Sequence, residues 1–183
     1  MGSPPDRRRA FQSIYELHYR HVAAYARRRA APGDVDDVVA ETFLVAWRRL
    51  EVIPTGELAL AWLYGVARRV ISQRQRSGRR RDRLVARLGG LRADDEDTAV
   101  ISETLDDRER VRAALALLRD PDQEILRLSK WEGLSATELS VVLGCSPNAA
   151  TIRLHRAHKR FAKALRIVDG KAQEELAEEE APT

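Results

Sequence analysis

The chain has a single cysteine, Cys145, which rules out an internal disulfide framework and points to a reducing compartment. Its plain role is that of a small buried filler in a turn. No long apolar run and no signal-peptide core are present, which argues against membrane insertion and for a cytoplasmic protein. Met1 to Pro5 reads as a loose leader. Catalytic equipment is missing as well. There is no glycine motif that would cradle a phosphate and no serine nucleophile motif. His18 with His21 and His155 with His158 stand three apart, yet neither pair has a third ligand nearby in sequence, so no metal and no cofactor are expected. Asp34, Asp36, Asp37 and Glu41 form an acidic group, but carboxylate cation sites usually need loop carbonyls or a phosphate substrate. An enzyme is not expected.

Lysine is scarce, 4 residues against 28 Arg, which with abundant Ala suggests a GC-rich genome more than any chemistry. What the chain does have is charge, at 33% of residues, beside 44% hydrophobic residues, enough for one moderate core or two small ones. The charge is uneven. Residues 169–183 carry six acids and one Lys, so the preceding 168 residues hold a formal +9 where the whole chain has +4. A basic body with an acidic tail suits a polyanion partner.

Gly133 to Leu165 reads as two short helices around a tight turn, a helix-turn-helix. Ser135 and Glu138 have capping-box spacing, and Gly144 ends the first helix. Ser146 caps the second, with Pro147 at its first position, where a missing N–H costs nothing. Ala150, Leu154, Ala157, Phe161 and Leu165 recur at three and four and make one buried stripe. The other side presents Asn148, Ala149, Ile152, Arg156, Lys159 and Lys163, flanked by Arg153 and Arg160. Arg pairs with guanine edges, Asn with adenine, and an exposed Ile suits a thymine methyl. The competing reading is a solvated cationic helix in an ordinary bundle.

The N-terminal part reads as three helices. From Arg7 to Ala30 the apolar positions Phe11, Ile14, Tyr15, Val22 and Tyr25 fit a helix, which Pro32-Gly33 stops. Asp34 caps the second helix, whose buried stripe is Val35, Val39, Phe43, Ala46 and Leu50, with Trp47 at one border. Its far face holds Asp34, Asp37, Glu41, Leu44 and Arg48, read either as a solvated acidic face or as a docking face for a basic partner helix, anchored by Leu44. The third helix runs from about Glu57 to Arg80, with Leu63, Val66, Ala67 and Val70 inward. Ala61, Gly65, Arg68, Ser72, Arg76 and Arg79 are placed outward, where small residues let nucleic acid approach and Arg neutralises phosphate. Trp62 and Tyr64 are either base-stacking or core aromatics, with Trp62 leaning to the core. Arg79 to Arg83 is a phosphate contact or a solvated helix end, with its neighbours favouring the former.

Gly89-Gly90 breaks any helix, and Arg92 to Asp107 carries seven acids against one Arg. This is a linker, either a disordered spacer or a strand that mimics nucleic acid in a cationic channel. Val111, Ala114, Leu115 and Leu118 then give a helix ended by Asp120-Pro121. Ile125, Leu126 and Leu128 give the next, Trp131 closes the core, and Asp169-Gly170 ends the last helix before a disordered tail. The fold class is all-α: two small helical domains joined by a flexible acidic linker, the second ending in the helix-turn-helix.

Three stretches, DVDDVVAETFLVAWRRL, WLYGVARRVISQRQR and LSATELSVVLGCSPNAATIRLHRAHKRF, resemble in order and spacing the extracytoplasmic-function sigma factors of bacterial RNA polymerase, of the sigma-70 family. The resemblance spans about Phe11 to Leu165. It implies a domain at 7–83 for core polymerase binding and minus-10 melting, a linker at 84–106, a minus-35 domain at 107–168 and an acidic disordered tail at 169–183. It implies that Asp37, Glu41, Leu44 and Arg48 grip core polymerase. The loop from Val52 to Glu57 and Arg68, Arg69, Ser72, Gln73 and Arg76 would open the minus-10 element and hold the melted non-template strand. Asn148, Ile152, Arg153, Arg156, Lys159 and Arg160 would read the minus-35 duplex. Arg69 stands where the family often has Asn, and Ala149 to Ile152 replace a common Thr-Val-Lys-Ser run, which places Ile152 over a thymine methyl. The resemblance leaves room for an anti-sigma protein as a further partner, and the acidic tail is read as either solubilising or folded over the DNA-reading faces. The alternative function is a free-standing dimeric helix-turn-helix regulator, which would need a dimer interface.

Overall fold

The computed structural model describes residues 4–89 and 107–179, with side chains over 5–78 and 107–170. Among the described residues every regular element is helical: α1 (Pro4–Arg27), α2 (Val35–Arg48), α3 (Leu58–Gly89), α4 (Asp107–Ala116), α5 (Asp120–Lys130), α6 (Ala136–Leu143) and α7 (Pro147–Glu179). Short 3-10 turns at Pro32–Asp34 and Leu50–Val52 flank α2. The linker reading of residues 90–106 lies outside the described residues. Contacts divide the chain into two units, Met1–Asp94 with Leu134–Pro147, and Asp95–Gly133 with Asn148–Thr183.

In the first unit, α1, α2 and α3 pack together, and α6 packs on α3. Pro4 and Pro5 open α1, where their missing N–H groups are no loss, so the helix takes in part of the expected leader. Val39, Phe43 and Ala46 are buried on α2 as their spacing predicts, but Val35 and Leu50 are only partly covered. Val38 and Thr42 are buried instead, because α2 is covered by both α1 and α3 and its apolar arc is wider than one stripe. The Thr42 hydroxyl is satisfied by donating to Val38 O at 2.7 Å. On α3, Leu63, Val66, Ala67 and Val70 are buried, joined by Tyr64 and Ile71. The helix continues through 84–89, expected as linker, and the break expected at Gly89-Gly90 lies at the edge of the described residues.

The α6 segment forms as its caps predict. The Ser135 hydroxyl oxygen accepts from the Glu138 N–H while the Glu138 carboxylate accepts from the Ser135 N–H at 2.8 Å, a capping box worth about 1 kcal/mol. Gly144 closes the helix at φ 63°, a left-handed conformation that a side chain disfavours, and the Cys145 N–H follows by donating to Ser140 O at 3.0 Å.

The second unit comprises α4, α5 and α7. Ala114 of α4 is buried against Ala164 and Val168 of α7, with Phe161 and Leu165 packed around them. Asp120-Pro121 starts α5, whose Ile125, Leu126 and Leu128 are buried. Trp131 does not close the core: it is 52% exposed, with the Arg127 guanidinium 5.6 Å from its ring centre. Trp131 is the C-cap of α5, its N–H donating to Arg127 O at 2.8 Å, and its ring borders an open apolar cavity with Leu115, Leu126 and Phe161. The last helix does not end at Asp169-Gly170 either. Asp169 accepts from Arg110 of α4 at 2.7 and 3.0 Å, Val168 is buried beside it, and the backbone stays helical to Glu179. A continuous helix carries its later residues away from Arg156 at about 1.5 Å per residue, so residues 169–179 do not fold back over the exposed cationic face of α7.

Candidate nucleic-acid and protein interfaces

The acidic face of α2 forms as its spacing requires. Asp37, Glu41, Leu44 and Arg48 follow one another at intervals of four, three and four, which is one side of a helix. Leu44 is 45% exposed, an apolar side chain left uncovered by its own fold. Asp34 occupies the N-cap position of α2 without making the expected side-chain cap. Its carboxylate turns instead to Arg74 of α3, at 3.4 Å, and the same guanidinium meets Asp37 at 3.1 Å and Glu41 at 3.4 Å. Partial burial works against the charged form of Arg74, and the hydrogen bonds and charges of Asp37 and Glu41 overcome it, so its pKa is raised.

Beside this face lies an aromatic array that the sequence reading only half recovered. Phe11, Tyr15 and Tyr19 stand four apart on α1, and the Tyr15 ring lies 4.7 Å from Phe43, Phe11 5.2 Å from Trp47 and Tyr19 5.2 Å from Tyr15. The four-residue interval was the available signal for Tyr19. Arg7 finishes the array, donating to Trp47 O at 2.9 Å with its guanidinium 5.1 Å from the indole centre.

The outward face of α3 is shorter than its spacing suggested. Ala61 is fully buried, and a Cβ on Gly65 would lie 3.3 Å from Val142 O and 3.4 Å from Val142 Cα. Gly65 admits the backbone of α6, not an incoming strand. Tyr64 is a core aromatic stacked 4.8 Å from Tyr25, while Trp62 is only half-buried. Beyond this contact Arg69, Gln73 and Arg76 are exposed, Arg68 and Ser72 half-buried, and the Arg76 Nε donates to Ser72 O at 3.1 Å. The loop at Val52 to Glu57 is pinned by buried Ile53 and turns at Gly56 with φ 67°. The side chains of Arg79 to Arg83 lie outside the described residues.

On α7 the stripe of Ala150, Ala157 and Ala164 is buried and Asn148, Ile152, Arg153, Arg156, Lys159 and Lys163 are exposed. Ile152 is 44% exposed among these polar neighbours. Arg160 is occupied: its Nη1 reaches both carboxylate oxygens of Asp122 at 2.8 and 2.9 Å. His158 is half-buried, and burial, then Lys130 and His155, push its pKa below 6.5. Among the described residues no three His, Cys, Asp or Glu side chains are grouped to hold a metal ion.

Comparison with known proteins agrees with this layout. A family model for Sigma-70 region 2 matches residues 14–81, and one for Sigma-70 region 4 matches residues 108–161. The ECF RNA polymerase sigma factor SigL of Mycobacterium tuberculosis is 31% identical over 158 residues, covering 85% of this chain and 86% of the relative. The chain is an ECF sigma factor of the sigma-70 family. SigF of Caulobacter vibrioides, also an ECF RNA polymerase sigma factor, is 35% identical over 151 residues and 80% of each chain. Two solved structures share the fold. One is the sigma factor RpoE in complex with the anti-sigma factor NepR from Bartonella quintana, with TM-score 0.57, 22% identity and coverage of 86% of this chain and 97% of that one. The other is CnrH in complex with the cytosolic domain of CnrY, with TM-score 0.55, 25% identity and coverage of 87% and 90%. As a sigma factor the protein serves RNA polymerase in promoter recognition. The region 4 match ends at Phe161, yet Ala164, Val168 and Asp169 still pack or bond to α4, so the second unit extends past the matched segment.

Proposed function

We propose that this sigma factor docks on core RNA polymerase through Asp37, Glu41, Leu44 and Arg48 of α2 within the 7–83 domain, and that Tyr15 and Tyr19 widen the same surface. The exposed Leu44 set in line with two carboxylates is the observation that carries this reading. Charge steers a basic partner and the leucine anchors it. Arg68, Arg69, Ser72, Gln73 and Arg76 of α3 then hold the melted minus-10 strand by phosphate contact. Extruding bases costs a few kcal/mol, which stacking and phosphate contacts offset. Within the 107–168 domain, Asn148, Ile152, Arg153, Arg156 and Lys159 read the minus-35 duplex, while Arg160 braces α7 on α5. The protein acts in the cytoplasm with the polymerase and performs no chemical step, since a sigma factor works by binding. An anti-sigma protein is a further partner, a reading supported by the RpoE relative solved with NepR.

Binding of the purified protein to its cognate core polymerase, beside an Asp37→Arg, Glu41→Arg double variant, is the test. Tight binding abolished in the variant, with duplex binding by the 107–168 domain retained, is the expected result. Equal loss of both activities would overturn the assignment of the α2 face.

A further inference from the structure

Arg74 belongs to α3, but it does not point with the nucleic-acid residues around it. Its Nη1 contacts Asp34 Oδ1 and Asp37 Oδ2, and its Nη2 contacts Glu41 Oε2. One oxygen of each carboxylate is used, and the second oxygen of each is not engaged by Arg74. Asp34, Asp37 and Glu41 are about one turn apart along one side of α2, where like charges repel. A single guanidinium between three carboxylates leaves the cluster with two net negative charges while removing most of that repulsion. Arg74 itself is largely covered, with 31% of its side chain exposed, whereas Asp37 remains 68% exposed. The cation therefore sits behind the acids, and the acids front the solvent.

We infer that Arg74 is a positioning residue for the polymerase-docking face, holding Asp37 and Glu41 in a fixed array whose outward oxygens take a basic residue of the partner; this rests on the docking reading above. Flexible carboxylates must be ordered when they bind, and that entropic loss weakens association. Here much of the ordering is already present in the free protein. The guanidinium geometry matters, since two Nη groups in a rigid fork reach three carboxylates where a lysine ammonium, a single point charge, cannot hold all three alike.

The experiment measures the Kd of the full chain for cognate core polymerase in wild type, Arg74→Gln and Arg74→Lys, each also in an Asp37→Asn, Glu41→Gln background, with melting temperatures alongside. Arg74→Gln is expected to weaken binding roughly tenfold, with Arg74→Lys in between, and to have no further effect once Asp37 and Glu41 are neutralised. A Kd within about twofold of wild type, a tighter Kd, or the same loss in both backgrounds overturns the inference. Should Arg74→Gln not fold, Arg74→Lys and its cycle decide by the same criteria. The Asp37→Arg, Glu41→Arg control separates the two readings: if it binds normally, the docking face itself is wrong; if it fails to bind while Arg74→Gln binds normally, only the role of Arg74 is.

Discussion

Arg160 Nη1 lies 2.8 and 2.9 Å from the two carboxylate oxygens of Asp122, an almost fully buried acid near the start of α5. Arg119 adds a longer contact at 3.3 Å. The pair ties α7 to α5, so of two arginines four residues apart on one helix, Arg160 is engaged within the fold while Arg156 is exposed. Arg160→Ala is expected to destabilise the second unit by about 1 to 2 kcal/mol, since it leaves a buried carboxylate with one weaker partner. Promoter base preference should be unchanged. Arg156→Ala should leave stability intact and lose roughly 1 to 3 kcal/mol of discrimination at one base pair. Chemical denaturation with binding to a panel of single-base promoter variants separates the two, and a shared phenotype would count against this division.

Ile152 is exposed among polar neighbours on α7, which suits a thymine methyl in the major groove. Ile152→Ser should reorder affinities across minus-35 variants, with the preference for thymine at one position reduced. If every variant keeps its rank, Ile152 reads no base.

Gly65 has no room for a large side chain beneath Val142. Gly65→Leu improves the intrinsic helix propensity of α3 by roughly 1 kcal/mol, yet overpacking against a backbone costs roughly 1 to 3 kcal/mol. Amide exchange should therefore quicken across α6 while α3 stays protected. Unchanged protection of α6 would show that the contact gives way more easily than its geometry suggests.

Asp169 bonds to Arg110 at 2.7 Å. A chain ending after Val168 should melt lower than one ending after Gly170, because only the first loses this bond. Equal melting temperatures for the two would remove Asp169 from the list of contacts that secure α4 to α7.

His18 is buried, and desolvation with the nearby His21 charge pushes its pKa below 6.5; His158 is shifted the same way. The unfolded chain then binds more protons than the folded one in the interval below pH 6.5. The contribution of each ring is complete above that value and is lost as pH falls toward the folded pKa. Melting temperature should drop between about pH 7.5 and about pH 5.5, and His18→Gln with His158→Gln should flatten the drop. An equally steep profile in the double variant would assign the effect to other groups.

The sequence by itself determined the elements and their order. Caps and turn residues act within a few residues, so the Ser135–Glu138 box and the left-handed Gly144 fall where short-range spacing places them. The faces of α2 and α7 were legible for the same reason: a helix repeats every 3.6 residues, and Leu44 and Ile152 break the polar run of their own surface. Only the tertiary structure decided what each face meets. Ala61 and Gly65 read as an open approach for nucleic acid, but Ala61 is buried and α6 occupies the space at Gly65, because smallness specifies close approach without naming the partner. Arg74 and Arg160 looked like two more cations in Arg-rich helices, and no local rule could pair them with Asp34, Asp37 and Glu41 or with Asp122, at separations of 33 to 40 residues. Helix periodicity is a property of neighbours along the chain, whereas an ion pair across such a separation depends on how packed helices bring distant segments together.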